Sequence, residues 1–157
     1  MTYFLDTNII LYLLYEKTSV LTAINEAFEV FSTENEAVIS VVSLGEIESF
    51  AIRAKWTEKE KEIVEGFLQK MIIADIKERE IIARYAEIDA FSRNKLAELP
   101  RGIKPHKMGK NDLWIAATAS ILNATLLTTD QDYMHLNGVY LAVETIPLKK
   151  FQAEKME

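Results

Sequence analysis

The chain contains no cysteine and only two histidines, His106 and His135. With no thiol there is no disulfide, no thiolate nucleophile and no thiolate-bound zinc, and two separate imidazoles do not make a His-rich metal cluster. The apolar run from Ile9 to Leu14 is far too short to cross a bilayer and no basic segment precedes it. Neither a membrane helix nor a signal peptide is therefore expected, and a cytoplasmic protein fits best. Cations are also in deficit: 18 Lys and Arg face 24 Asp and Glu, for a net charge of −6. A negative field of that sign repels phosphates, so simple coating of nucleic acid is excluded unless a local basic patch or bound cations reverse it. No internal repeat or low-complexity tract is evident.

What is present is apolar substance. Hydrophobic residues make up 49% of the 157 positions, enough for a core of its own, and the length predicts one domain over 1–157, with the residues after about 148 a short tail. The order of elements then gives the class. Tyr3-Phe4-Leu5 is a short apolar strand that stops at Asp6, and Ile9 to Glu16 continues as a helix. Val20 to Phe31 is a second helix, with Leu21, Ile24, Phe28 and Phe31 at helical spacing. Ala37 to Val42 is β-branched and almost uninterrupted, as in a strand covered on both faces.

Ser43-Leu44-Gly45-Glu46 has the form of a capping box and is expected to open a helix running to about Lys55; Thr57 to Glu60 repeats the box before Ile63, Val64, Phe67 and Leu68. A strand over Met71 to Ile76 leads to the longest expected helix, Lys77 to about Leu96, with Ile81, Tyr85, Ile88 and Leu96 along one stripe. Leu99 to Lys110 breaks the pattern with prolines, glycines and cations but no acid. Asn111-Asp112 opens the helix Leu113 to Leu122, Ala124 to Thr128 is a strand, and Val139 to Val143 is a fifth strand, expected at an edge. Strands alternating with helices predict an α/β fold with a parallel sheet and helices on both faces.

Parallel strands share one carboxyl edge, the usual place for ligands in open α/β sheets. Asp6, Glu46 and Asp130 follow the first, second and fourth strands, and Asp112 begins the helix feeding the fourth. Each alone reads as a cap: Asp accepts from free backbone N–H groups at helix starts, and Glu46 would be the third helical residue of its box. Together they place four carboxylates at one edge. Two unit charges about 4 Å apart repel by roughly 4 kcal/mol at an effective dielectric of 20, so such a cluster calls for protonation or a cation. Oxygen-only ligands select a hard ion, Mg²⁺ or Mn²⁺, and one or two such ions would activate water and stabilise the leaving oxygen of a phosphodiester.

Phe4-Leu5-Asp6-Thr7-Asn8, Ser43-Leu44-Gly45-Glu46-Ile47, Asn111-Asp112-Leu113-Trp114-Ile115-Ala116-Ala117 and Leu127-Thr128-Thr129-Asp130, in that order over nearly the whole chain, resemble the PIN-domain ribonucleases, especially the VapC toxins of VapBC toxin–antitoxin pairs. The resemblance implies a PIN-like fold with a five-stranded parallel sheet and a divalent-metal-dependent endoribonuclease acting on RNA. It also implies a possible homodimer and an antitoxin partner. Asp6, Glu46 and Asp112 match the three strongest acids of the family and Asp130 the fourth, as metal-holding catalytic residues. Thr7, Asn8 and Thr128 match polar supporting positions, and Asp132 is an alternative to Asp130. The helical stretch Lys77 to Leu96 and the loop before Asp112 make this chain longer than the short toxins.

The basic loop supplies candidates for contacts to RNA phosphates in Arg101, Lys104, Lys107 and Lys110, set against a plain solvated connector. His106 is expected to be exposed and His135 structural. Trp114 and Phe50 sit in apolar stripes, where core packing outweighs stacking on a base. No Gly-rich phosphate loop and no nucleophile elbow is present. A haloacid-dehalogenase-like, Mg-dependent phosphatase would carry a second Asp where Asn8 stands, which makes it the weaker enzymatic alternative. The non-enzymatic alternative is a PIN-like scaffold or partner-binding module without turnover.

Overall fold

The computed structural model describes residues 1–15, 18–98 and 103–146, with the side chains of 13, 15 and 18–21 outside the description. Arg101 and the expected tail after residue 148 lie outside the described residues. The elements follow as β1 (Thr2–Leu5), α1 (Thr7–Tyr15), α2 (Thr18–Phe28), β2 (Glu36–Ser40), α3 (Val41–Arg53), α4 (Glu58–Leu68), β3 (Ile72–Ala74), α5 (Arg79–Ser92), α6 (Lys110–Ile121), β4 (Thr125–Thr128), a 3-10 helix (Gln131–Leu136) and β5 (Ala142–Thr145). The five strands form one sheet in the order β3-β2-β1-β4-β5, and every pairing is parallel.

Alternation along the central strands divides the core in two. Tyr3 and Leu5, Ala37 and Ile39, and Leu127 face one layer, where they meet Ile9, Ile10, Ile24, Ile47, Ala51, Trp56 and Val64 from α1 to α4. Phe4, Val38, Leu126 and Val143 face the other, against Ile81, Ile88 and Phe91 of α5 and Leu113, Ile115 and Ala116 of α6. Both faces of the sheet are thus covered by helices, as expected. Trp114 and Phe50 are partly buried and pack against these cores; Trp114 lies 4.2 Å from Tyr85 between ring centroids.

The sheet grows outward from β1 in both directions, so the chain reverses its winding there, between β1 and β4. This is the crevice in which open α/β sheets bind ligands. Leu5 pairs with Ile39 on one side and with Leu127 on the other. The next residues, Asp6, Ser40 and Thr128, therefore stand level at the carboxyl edge, and all three are buried.

One boundary differs from the sequence reading in a way that matters for the site. The strand expected to reach Val42 ends at Ser40, and Val41 and Val42 are already helical. Ser40 caps α3 by accepting from the Val42 N–H at 3.1 Å, so the Ser43-to-Glu46 box is not a cap. Ser43 is buried inside the helix and Glu46 is its sixth residue, one turn further in than expected. The second box is as read: Thr57 accepts from the Glu60 N–H, and the Glu60 carboxylate accepts from the Thr57 N–H.

Candidate active site

Asp6 is the single residue between β1 and α1. One carboxylate oxygen, Oδ1, accepts the Thr7 N–H, the first of α1, at 2.8 Å. The other, Oδ2, accepts the Thr128 hydroxyl at 2.7 Å. Thr128 in turn accepts the Asp130 N–H at 3.0 Å, which ties the end of β4 to the end of β1. On the opposite flank the Thr7 hydroxyl lies 2.7 Å from Glu46 Oε1 and 2.8 Å from Ser43 Oγ. An ionised carboxylate only accepts, so Thr7 donates to Glu46 and takes its second bond from the Ser43 hydroxyl. Residues three apart on a helix share a face, which is why Ser43 and Glu46 meet the same threonine.

Asp112 is the third residue of α6, in the first turn, where the exposed backbone N–H groups favour negative charge. Its Oδ1 accepts the Tyr133 hydroxyl at 3.0 Å. Tyr133 is fully buried in the 3-10 helix that follows β4. Asp130 caps that helix by accepting the Asp132 N–H at 2.9 Å and is half-buried, whereas Asp132 and Asn8 are exposed.

These carboxylates act on one another. Burial pushes the Asp6 carboxyl up to about 6, opposed by the Thr128 hydrogen bond and reinforced by the charges of Asp112 and Glu46. Burial also raises Asp112, against the Tyr133 hydrogen bond, with Asp130, Glu46 and Asp132 adding repulsion. Asp130 is the better buried of the two acids after β4. Among the described residues no Lys or Arg pairs with any of these acids. No three of them stand, as placed, in a ready cation cage either. The donors are all oxygen, negative and uncompensated, and that fits a hard divalent ion.

An open groove lined by Val42, Gly45, Glu46, Ser49, Arg53 and Asn111 passes between the starts of α3 and α6 beside Glu46. A larger groove between α3 and α4, lined by Ile47, Ala51, Trp56, Val64 and Leu68, holds none of the edge acids. Of these two grooves only the first reaches an edge acid, Glu46. Lys104, Lys107 and Lys110 are exposed, and Lys110 opens the helix that carries Asp112.

Two expectations about histidine part company. His135 is structural: its Nε2 lies 2.7 Å from Ser92 Oγ and its ring stacks on Phe91. His106 is not exposed. It packs edge-on against His135, its N–H donates to the Ser92 carbonyl at 2.7 Å, and its Nε2 is buried. Together with buried Met108 this pins the basic loop to α5. Tyr133 escaped the sequence reading, and Ser43, read there as a helix cap, is instead a partner of Thr7. Nothing local marks Tyr133 apart from its place one residue after Asp132.

The PIN domain family model matches residues 3–139. The chain belongs to the PIN domain family. PIN domains are generally nucleases. Its fold is VapC-like: VapBC2 from Rickettsia felis, solved with a DNA fragment from its promoter, matches with a TM-score of 0.74 and 25% identity over 92% of this chain and 98% of that one. VapBC-1 from nontypeable Haemophilus influenzae gives 0.70 and 24% over the same shares. VapBC-5 from Mycobacterium tuberculosis, of the VapBC family of toxin-antitoxin systems, gives 0.54 and 21% over 92% and 97%. A comparison with curated proteins returns no match. In this PIN domain no helix of the described residues is long and apolar enough to cross a membrane.

Proposed function

We propose that this PIN domain is a divalent-metal-dependent endoribonuclease, the toxin of a toxin–antitoxin pair, working in the cytoplasm as one unit over 1–157. The observation that carries this is the set of carboxylates following β1, in α3 and α6 and after β4, with no described Lys or Arg paired to them; burial lifts Asp6 to about 6, and the charges of Asp112 and Glu46 add to the rise. Asp6, Glu46, Asp112 and Asp130 would hold Mg²⁺ or Mn²⁺. A bound ion of this kind makes water a competent nucleophile near neutral pH and neutralises charge on the phosphate.

The rest is the work of the chain. Thr128 and Thr7 fix the Asp6 and Glu46 carboxylates, so their free lone pairs point consistently. Asp132 is available at the rim. Lys104, Lys107 and Lys110 offset the net negative charge where the RNA backbone approaches, with Arg101 as a further candidate. An antitoxin partner rests on the VapBC likenesses, whose assemblies pair a toxin with its antitoxin; a homodimer rests on the family resemblance.

The test is cleavage of single-stranded RNA with Mn²⁺, with Mg²⁺ and with chelator, alongside Asp6→Ala. Divalent-dependent cleavage lost in the variant supports the reading. The scaffold reading is favoured by the missing ready cage; it wins if no divalent ion binds and wild type cleaves no more RNA than the Asp6→Ala control.

A further inference from the structure

Asp112 differs from the other acids in how it is held, and two residues outside the proposed ligand set account for the difference. An Asp carboxylate turns about its terminal bond with little preference, so its oxygens need neighbours to define them. Oδ1 takes the hydroxyl of Tyr133 at 3.0 Å. That hydroxyl sits on a ring with no exposed surface, locked in the core beneath β4 and α6, and it has no freedom to follow the carboxylate.

Oδ2 is defined by Gly109. This residue is the N-cap of α6 and gives it no side-chain cap, although Ser, Thr, Asp and Asn lead at that place. Its backbone, φ −62° and ψ 149°, is open to any residue, so conformation does not explain the glycine. Space does: a Cβ there would stand 2.9 Å from Asp112 Oδ2 and 3.6 Å from its Cγ. The neighbour is the far end of a side chain, so a Cβ would leave the backbone in place and push the carboxylate aside.

We infer that Tyr133 and Gly109 are positioning residues that fix the Asp112 carboxylate through its two oxygens, Tyr133 by holding Oδ1 and Gly109 by leaving room for Oδ2 where it stands. This rests on the proposed function, in which Asp112 holds the divalent ion. Partners behind a metal-binding carboxylate typically change metal affinity by about 10–100-fold when removed.

The test is calorimetric titration of the full chain with MnCl₂ for wild type, Tyr133→Phe, Gly109→Ala and Asp112→Asn, and for Tyr133→Phe and Gly109→Ala each combined with Asp112→Asn. Thermal unfolding without metal is measured in parallel. Tyr133→Phe keeps the ring in the core, and Gly109→Ala is at the surface. Tyr133→Phe and Gly109→Ala are each expected to unfold close to wild type and to bind Mn²⁺ about tenfold more weakly. In the Asp112→Asn background neither is expected to change affinity further, which general loosening of the fold would not reproduce. Wild-type Mn²⁺ binding that Tyr133→Phe and Gly109→Ala both leave intact overturns the inference and spares the proposed function, as does an equal loss in the Asp112→Asn background. A wild type that binds no Mn²⁺ overturns both.

Discussion

With 4% of its surface exposed and two other acids in its field, Asp6 opposes folding whenever it is ionised. Its folded value of about 6 lies above the ordinary 3.8. Between those values the folded chain keeps a proton that the unfolded chain has released. Stability therefore falls as pH rises through that window, and the full cost stands above pH 6. Asp6→Asn removes the charge while its amide can still accept the Thr7 N–H. Metal-free Asp6→Asn is expected to be more stable than wild type at pH 7 by on the order of 2–3 kcal/mol, with the advantage gone below about pH 4. Urea unfolding at the two pH values checks it; an advantage that persists in acid would point to some other cause. The same proton competes with the ion, so divalent affinity should decline as pH drops through 6.

At the scale of elements, capping separates the site from the scaffold. Ser40 and Thr57 cap successive helices of one layer, but only α3 carries Glu46. Thr57→Ala is expected to cost about 1 kcal/mol of stability with divalent binding unchanged, and Ser40→Ala a similar amount with weaker binding, because the helix start that orients Ser43 and Glu46 loosens. Thermal unfolding with and without Mn²⁺ distinguishes the two. These elements also show where the sequence was informative. The apolar strand ending at Asp6, the Thr57 box and the Asn111-Asp112 helix start carry local signals strong enough to read. Val41 and Val42 misled because β-branched residues favour strands, while the deciding interaction is one hydrogen bond to Ser40, a residue that looks like more strand. The 3-10 helix Gln131–Leu136 has no helical period to detect, and Tyr133 went unread with it. That the acids share one edge followed from strand and helix direction; Thr7 and Thr128 were matched only through the family resemblance, and their hydrogen bonds to Glu46 and Asp6 required the structure.

For the molecule as a whole, a net charge of −6 has to be reconciled with a polyanionic substrate. The loop after residue 103 is held to α5 by His106 and Met108 while Lys104, Lys107 and Lys110 face solvent. Replacing the three lysines together by Ala is expected to weaken RNA binding and to flatten its salt dependence by up to about 2 in log–log slope, at about 0.7 for each single-strand phosphate left without its lysine. An unchanged slope in filter binding between low and moderate salt would remove the loop from the interface. The sheet order also fixes how far the acids can spread, since Asp6, Ser40 and Thr128 are level across three adjacent strands. A ligand of the folded state alone stabilises by about 2.7 kcal/mol at one hundred times its dissociation constant, which for a chain of this length is several degrees in Tm. The central claim, that this edge holds a divalent ion, is tested most directly by thermal unfolding at pH 7 over a range of Mn²⁺ concentrations for wild type and Asp6→Asn. A wild-type Tm that climbs with Mn²⁺ while the metal-free variant starts higher and stays flat is the predicted result; parallel curves, or no movement in the wild type, would contradict the account.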